Sequence, residues 1–237
     1  DNHRAIFQGA GFEVESYPYF DSATGGVRFE AMLEFFKKLE ENSIVVLHAC
    51  CHNPTGADLN DAQWRQLAET IKQKSLIPFL DMAYQGFAKG VQEDAKAIHI
   101  MTDAGLPVLI ANSFSKSFSL YGERVGALSV VTTSTDEQVR VTSQLKKMVR
   151  ANYSSPPIFG AAIVGHVLSN DALRQEWFDE LTEMRQRIHT MREKFTALLN
   201  EGQTKKDFNF IKEQQGMFSY SGLTKEQAQQ LRNEHGV

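Results

Sequence analysis

Ile77-Pro78-Phe79-Leu80-Asp81-Met82-Ala83-Tyr84 is a short apolar run that ends in a carboxylate and a phenol. Its length and its turn-forming boundaries suit a strand buried on both faces, the kind found in parallel sheets. Three other runs read the same way: Ile44 to Leu47, Val108 to Ala111 and Ala127 to Val131. Between the first two runs, Asn60 can cap a helix with Gln63 three residues later. Trp64, Leu67, Ala68 and Ile71 then fall at i, i+3, i+4 and i+7. That is a strand, helix, strand unit, and Asp94 to Ala104 supplies the helix of the next crossover. Residues 44–131 therefore predict an α/β fold, a mostly parallel sheet flanked by helices.

From Asp171 the pattern changes. Leu173, Trp177, Leu181, Met184, Ile188, Met191, Phe195 and Leu198 are spaced by alternating threes and fours with charged residues between them. One long amphipathic helix follows. At ~1.5 Å per residue it spans roughly 43 Å, which suits a bridge between two domains; a surface helix packed lengthwise is the alternative. Phe208 to Ile211 and Met217 to Tyr220 read as strands, and Thr224 to His235 as a helix capped by Thr224. The expected organisation is a large domain over 1–180 and the start of a small α+β domain over 181–237. The chain opens at Asp1 without a methionine and stops at Val237 with no closing element, which suggests a segment of a longer protein.

The 237 residues carry 25 basic and 29 acidic side chains, a net charge of −4, with no block of one sign. Nothing in this argues for nucleic acid or an anionic membrane surface as a partner. No apolar run approaches the roughly 20 residues that a spanning helix needs, so a cytoplasmic protein acting on small molecules is expected. Cys50 and Cys51 are adjacent, a poor geometry for a disulfide, and read as reduced buried thiols. His48 and His52 flank them, yet strand alternation sends neighbours to opposite faces, and no metal site is expected.

Ligands of open parallel sheets sit at the carboxyl ends of the strands. There the sequence puts His48, Asn53, Asp81, Tyr84, Ser113 and Lys116. An amine that can form a Schiff base with an aldehyde, together with a carboxylate that keeps a ring nitrogen protonated, is what pyridoxal phosphate requires. Lys116 would be the amine and Asp81 the carboxylate. Ser113 and Ser115 offer hydroxyls beside that amine, and Arg124 lies eight residues on, a set able to hold a phosphate. Taken alone, the same residues also fit a polar loop with a solvated lysine and a surface arginine. Tyr84 fits either a core aromatic or a phenol donating to the cofactor's ring oxygen.

Read together, the motifs resemble the class I, fold-type I aminotransferases that use pyridoxal phosphate. The resemblance runs nearly the whole chain: Asn2-His3, His52-Asn53-Pro54-Thr55-Gly56, Asp81-Met82-Ala83-Tyr84-Gln85-Gly86-Phe87, Ser113-Phe114-Ser115-Lys116, Tyr121-Gly122-Glu123-Arg124-Val125-Gly126, Arg150-Ala151-Asn152-Tyr153-Ser154-Ser155-Pro156-Pro157 and Gly216-Met217-Phe218. The wording is most similar to the bacterial aromatic amino acid (tyrosine) branch, with the aspartate branch next.

The resemblance implies that Lys116 carries the cofactor and then shuttles the proton, and that Asp81 pairs with the ring nitrogen while His3 supports Asp81. It further implies that Asn53 and Tyr84 donate to the ring oxygen, that Ser113, Ser115 and Arg124 grip the phosphate, and that Asn53 also touches the substrate carboxylate. Arg150 matches an arginine that reaches into the partner subunit's site and binds a dicarboxylic substrate, so a homodimer is implied. The implied reaction moves an amino group from an aromatic or dicarboxylic amino acid to a 2-oxo acid, 2-oxoglutarate above all, by ping-pong kinetics. The Asn53–Pro54 bond is cis in relatives. The family's ring-stacking tryptophan, its glycine- and threonine-bearing phosphate turn and its α-carboxylate arginine would lie outside these 237 residues, so the segment alone is expected to be inactive. Two other readings stay open: a carbon–sulfur lyase or decarboxylase using the same Lys116 and Asp81, and a noncatalytic folded fragment. Arg150 and the Tyr153 to Pro157 stretch favour transamination. A cofactor-free Schiff-base lyase would need neither Asp81 nor a phosphate grip.

Overall fold

A computed structural model describes residues 2–202 and 207–237. In chain order the helices and strands are α1 (Asn2–Gly9), α2 (Phe29–Phe36), β1 (Ile44–His48), α3 (Asp61–Gln73), β2 (Ile77–Met82), α4 (Lys96–Asp103), β3 (Leu109–Ser113), β4 (Gly126–Val130), α5 (Thr135–Asn152), α6 (Phe159–Ser169), α7 (Asp171–Glu201) and α8 (Lys225–Gln230). The four strands form one sheet in the order β1-β2-β3-β4. β1, β2 and β3 are parallel, and β4 returns antiparallel to β3.

Local chemistry explains the elements. Asn60 accepts from the Gln63 amide while the Gln63 side chain accepts from the Asn60 amide, a complete capping box at the start of α3. Trp64, Leu67, Ala68 and Ile71 are buried on its inner face, as the spacing predicts. In α2, Phe29, Met32, Leu33 and Phe36 bury the matching stripe. These two helices and α4 join Val45, Leu47, Leu80, Met82, Val108 and Ile110 of the sheet region in one hydrophobic core. β1 and β2 alternate buried and half-buried residues, whereas most of β4 is exposed.

The long helix α7 is continuous over 31 residues, and Asn170 caps it by accepting from the amides of Ala172 and Leu173. Its first half is fastened to the sheet domain. The Trp177 ring stacks on Phe118 at 4.5 Å and its Nε1 donates to the Ser117 carbonyl at 2.6 Å. The Arg185 guanidinium donates to the Gly86 carbonyl at 2.9 Å.

Three expectations change in detail. The helix of the second crossover begins with a single 3₁₀ turn over Glu93–Ala95, and α4 proper starts at Lys96. Phe208 to Ile211 is not a strand: Asn209–Glu213 forms a 3₁₀ turn with Ile211 fully buried. Met217 to Tyr220 joins no ladder among the described residues, and side chains take backbone groups that a ladder would use. Arg192 holds the Gly216 and Phe218 carbonyls, and the Gln214 amide group both donates to the Tyr220 carbonyl and accepts from its N–H. Thr224 does cap α8, with Gln227 completing the box, and the helix ends in a π turn over Leu231–His235. No described helix is long and apolar enough to cross a membrane. Cys50 and Cys51 are free and buried.

Candidate active site

The carboxyl edge of the parallel strands gathers the polar residues. Asp81, next to last in β2, is the register partner of His48 in β1 and of Ala111 in β3. From α1, His3 Nε2 donates to Asp81 Oδ2 at 2.8 Å, across 78 positions of sequence. Burial pushes the Asp81 carboxyl up, but the His3 hydrogen bond and the charges of His48, His3 and Lys116 outweigh it and hold the group below its ordinary value. The result is an ionised carboxylate with one oxygen engaged. Its Oδ1 accepts no hydrogen bond among the described residues, and the side chain keeps 21% of its surface exposed.

Histidine rings wall this edge. His48 meets His3 edge-on at 5.4 Å and His52 at 4.7 Å, and His52 stacks on Tyr19 at 4.1 Å. Burial lowers His48, and burial followed by the neighbouring His48 and His3 drives His52 down to about 3. Both imidazoles are therefore neutral at physiological pH. The loop after β1 is shaped by Asp58, which accepts from the Cys51 amide at 2.6 Å and the His52 amide at 2.8 Å. This presents Asn53, whose bond to Pro54 is cis.

Asn53 Nδ2 donates to the Tyr84 hydroxyl at 3.2 Å. The Tyr84 phenol is raised above its ordinary value, first by burial, with the Asn53 hydrogen bond pulling the other way. Lys116 Nζ stands over the Tyr84 ring, 4.7 Å from its centroid, and Phe218 meets the same ring edge-on at 5.6 Å. The loop that carries Tyr84 is itself held by a buried carboxylate. Asp94 accepts from the amides of Gly86, Ala88, Lys89 and Gly90 at 2.8–3.3 Å.

Lys116 lies in the turn joining β3 to β4. Because β4 runs antiparallel, Ser113 pairs with Gly126, and the Phe114 amide donates to the Val125 carbonyl at 3.2 Å. Arg124, at φ 52°, is thereby returned to the edge that carries Ser113 and Ser115. The Ser113 hydroxyl accepts from the Ser115 amide at 3.3 Å, and Arg124 is exposed, donating to the Tyr121 carbonyl at 3.0 Å. An amine, an ionised carboxylate, a phenol and a turn bearing two hydroxyls and a guanidinium thus share one strand edge.

A family model described as aminotransferase class I and II matches residues 1–237. The chain belongs to this aminotransferase family. It is 54% identical to the aromatic-amino-acid aminotransferase of Escherichia coli strain K12 and 52% identical to an aspartate aminotransferase of Pseudomonas aeruginosa, over 237 residues in each case. Both matches cover 100% of this chain and 60% of the relative, so the chain spans about three fifths of their length. Among solved structures, the aromatic-amino-acid aminotransferase from Burkholderia pseudomallei, covalently bound to pyridoxal phosphate, superposes with a TM-score of 0.98. It is 56% identical, over 100% of this chain and 59% of that one.

Within this aminotransferase fold one expected site residue stands outside the cluster. Arg150, in the last turn of α5, donates to the Ser154 hydroxyl rather than to any member of the Asp81–Lys116 group. The three residues that shape the loops, Asp58, Asp94 and Arg192, escaped the motif reading. Asp58 had a signal, an aspartate two residues past a Pro-Thr-Gly turn and able to accept from its amides. Asp94 read as the beginning of a helix. Arg192 looked like one more charge on an amphipathic surface.

Proposed function

We propose that the protein containing this chain is a pyridoxal phosphate-dependent aminotransferase. It moves an amino group from an aromatic or dicarboxylic L-amino acid to a 2-oxo acid, with 2-oxoglutarate the natural acceptor. The observation that carries this is the Asp81 carboxylate, held ionised by His3 with Oδ1 unengaged among the described residues, on the same edge as the Lys116 amine. The donor set fits the cofactor: a carboxylate for a protonated ring nitrogen, a phenol and an amide for a ring oxygen, and two hydroxyls with a guanidinium for a phosphate. When bound, pyridoxal phosphate supplies an aldehyde for the amine and a ring that draws electrons from the carbon losing its proton.

The side chains then divide the work. Asp81, kept anionic by His3, holds the ring proton in place. Asn53 and Tyr84, already hydrogen-bonded to each other at 3.2 Å, are oriented as a pair toward the ring oxygen. Ser113, Ser115 and Arg124 anchor the phosphate, fixing the distance between that anchor and Asp81. Lys116 Nζ would take the proton from the substrate's Cα and later give it back, which is general base and then general acid chemistry at one atom. Asn53 also meets the substrate carboxylate. The names of the relatives, both aromatic and aspartate aminotransferases, support this pair of donor classes.

The same reading makes the protein a cytoplasmic homodimer in which Arg150 serves the neighbouring site, since Arg150 is exposed and donates to Ser154 and not to its own cluster. Free buried thiols suit a reducing compartment. It takes residues 1–180 as the large domain and 181–237 as the opening of the smaller one. The test is to incubate the intact protein with pyridoxal phosphate, reduce with borohydride and map the modified lysine, with Lys116→Ala as control. Label confined to Lys116, with keto acid formed from phenylalanine, tyrosine or aspartate, is expected. Label elsewhere, or release of sulfide or carbon dioxide in place of keto acid, would overturn the proposal.

A further inference from the structure

Arg192 lies in the second half of α7, buried at 4% exposure, and its guanidinium faces backbone carbonyls where a carboxylate would be the usual partner. Nη1 donates to the Gln214 carbonyl at 2.8 Å, and Nη2 to the carbonyls of Gly216 at 2.5 Å and Phe218 at 2.7 Å. Nε donates to the Ser219 hydroxyl at 3.0 Å. A buried cation is costly unless its donors are engaged, and here one side chain gathers four acceptors from a six-residue strap, 214–219. A surface-type arginine would not be arranged in this way.

The strap leads straight to the cluster. The Gln215 amide donates to the Gly56 carbonyl at 2.7 Å, which ties the strap to the loop bearing Asn53. Gly216 lies against Cys51, so closely that a Cβ there would stand 2.5 Å from the Cys51 Cβ. Phe218 meets the Tyr84 ring that lies beneath Lys116 Nζ.

Building on the function proposed above, we infer that Arg192 is a positioning residue: by gripping the 214–219 strap it seats Phe218 against Tyr84, and so sets the phenol and the Asn53 amide relative to Lys116. The Arg192 guanidinium bonds the strap and no member of the Asp81–Lys116 cluster. It acts through Phe218, and nothing that merely fills its volume can replace the fork of donors.

The test uses the intact protein loaded with pyridoxal phosphate and follows the pH midpoint of the cofactor's visible absorbance, beside thermal melting. Arg192→Met and Phe218→Ala are each expected to move that midpoint in the same direction by about half a pH unit, roughly threefold in the proton equilibrium. The double variant should move it no further than either single one. Arg192→Lys, which keeps the charge and loses the fork, should fall between parent and Arg192→Met, and it serves alone if the methionine variant does not fold. A lowered melting temperature with an unmoved midpoint in the Arg192 variants would show a purely structural role and overturn the inference. So would additive shifts in the double variant. If the unmodified protein takes up no cofactor on Lys116, the proposed function falls and this inference with it; if it does and only the shifts fail, this inference falls alone.

Discussion

Gly216→Ala should destabilise the protein by about 3 kcal/mol, and the structure says where the cost arises. Gly216 sits at φ 84°, a region in which a side-chain-bearing residue costs about 1–2 kcal/mol. A Cβ there would also lie 2.5 Å from Cys51 Cβ, 3.1 Å from Sγ and 3.2 Å from Cα. Relieving that overlap in a packed region costs roughly 1–3 kcal/mol. For a chain of this size, about 3 kcal/mol corresponds to a melting temperature lowered by roughly 6–12 °C. Cys51 offers a means of separating the two contributions. It is itself at φ 54°, so Cys51→Gly relieves its own backbone while removing both side-chain atoms that the added methyl group would strike. In that background Gly216→Ala should cost mainly the backbone term, about 1–2 kcal/mol, with only the 3.2 Å contact to the Cα of residue 51 left. Urea denaturation of the four proteins in the cycle should therefore return a coupling energy of roughly 1–3 kcal/mol. Additivity within about 0.5 kcal/mol would refute the contact as the cause.

Other outcomes follow from the same geometry. Asp94→Ala, which strips the acceptor from four backbone amides in the loop bearing Tyr84, should cost about 3–5 kcal/mol by denaturation, and Asp94→Asn should fall between it and the parent. Asp81→Ala in the intact protein should cut turnover on the order of a hundred- to a thousandfold while leaving Lys116 open to reductive labelling; full turnover would refute the role given to Asp81. Acid should weaken the fold through His52. Its imidazole takes a proton near 6.5 when unfolded and only at about 3 when folded, so this stability is intact above pH 6.5 and is lost as pH falls toward 3. Asp58, raised by burial, acts in the opposite sense at the acid end, so the measurement is the difference between parent and His52→Gln, whose stability curve should be flatter over that window.

The parts of the molecule governed by near neighbours were legible in the sequence. The capping box of Asn60 and Gln63 spans three residues, and the apolar stripe of α7 repeats every turn, so both needed nothing from elsewhere in the chain. The strands surfaced as short apolar runs, and the topology of a parallel sheet then put Asn53, Asp81, Tyr84, Ser113 and Lys116 on one edge. His3 was found only through resemblance, since its hydrogen bond to Asp81 crosses 78 positions and leaves no local trace. Phe208 to Ile211 and Met217 to Tyr220 were misread for a related reason. A short apolar run says that side chains are to be buried and is silent on what takes the backbone hydrogen bonds. Here the carbonyls of Gly216 and Phe218 belong to Arg192, more than twenty residues earlier.

Helix α7 works as a ruler. Trp177, Arg185 and Arg192 fasten it, in that order, to the turn bearing Lys116, the loop bearing Tyr84 and the strap bearing Phe218. Trp177 and Arg192 are about 22 Å apart along a rigid rod at ~1.5 Å per residue. One residue inserted between them would turn everything beyond it by about 100° and point Arg192 away from the strap, and a seven-residue insertion would restore the direction but overshoot by roughly 10 Å. The outward face of this stretch can therefore change its residue types freely while its length cannot change at all.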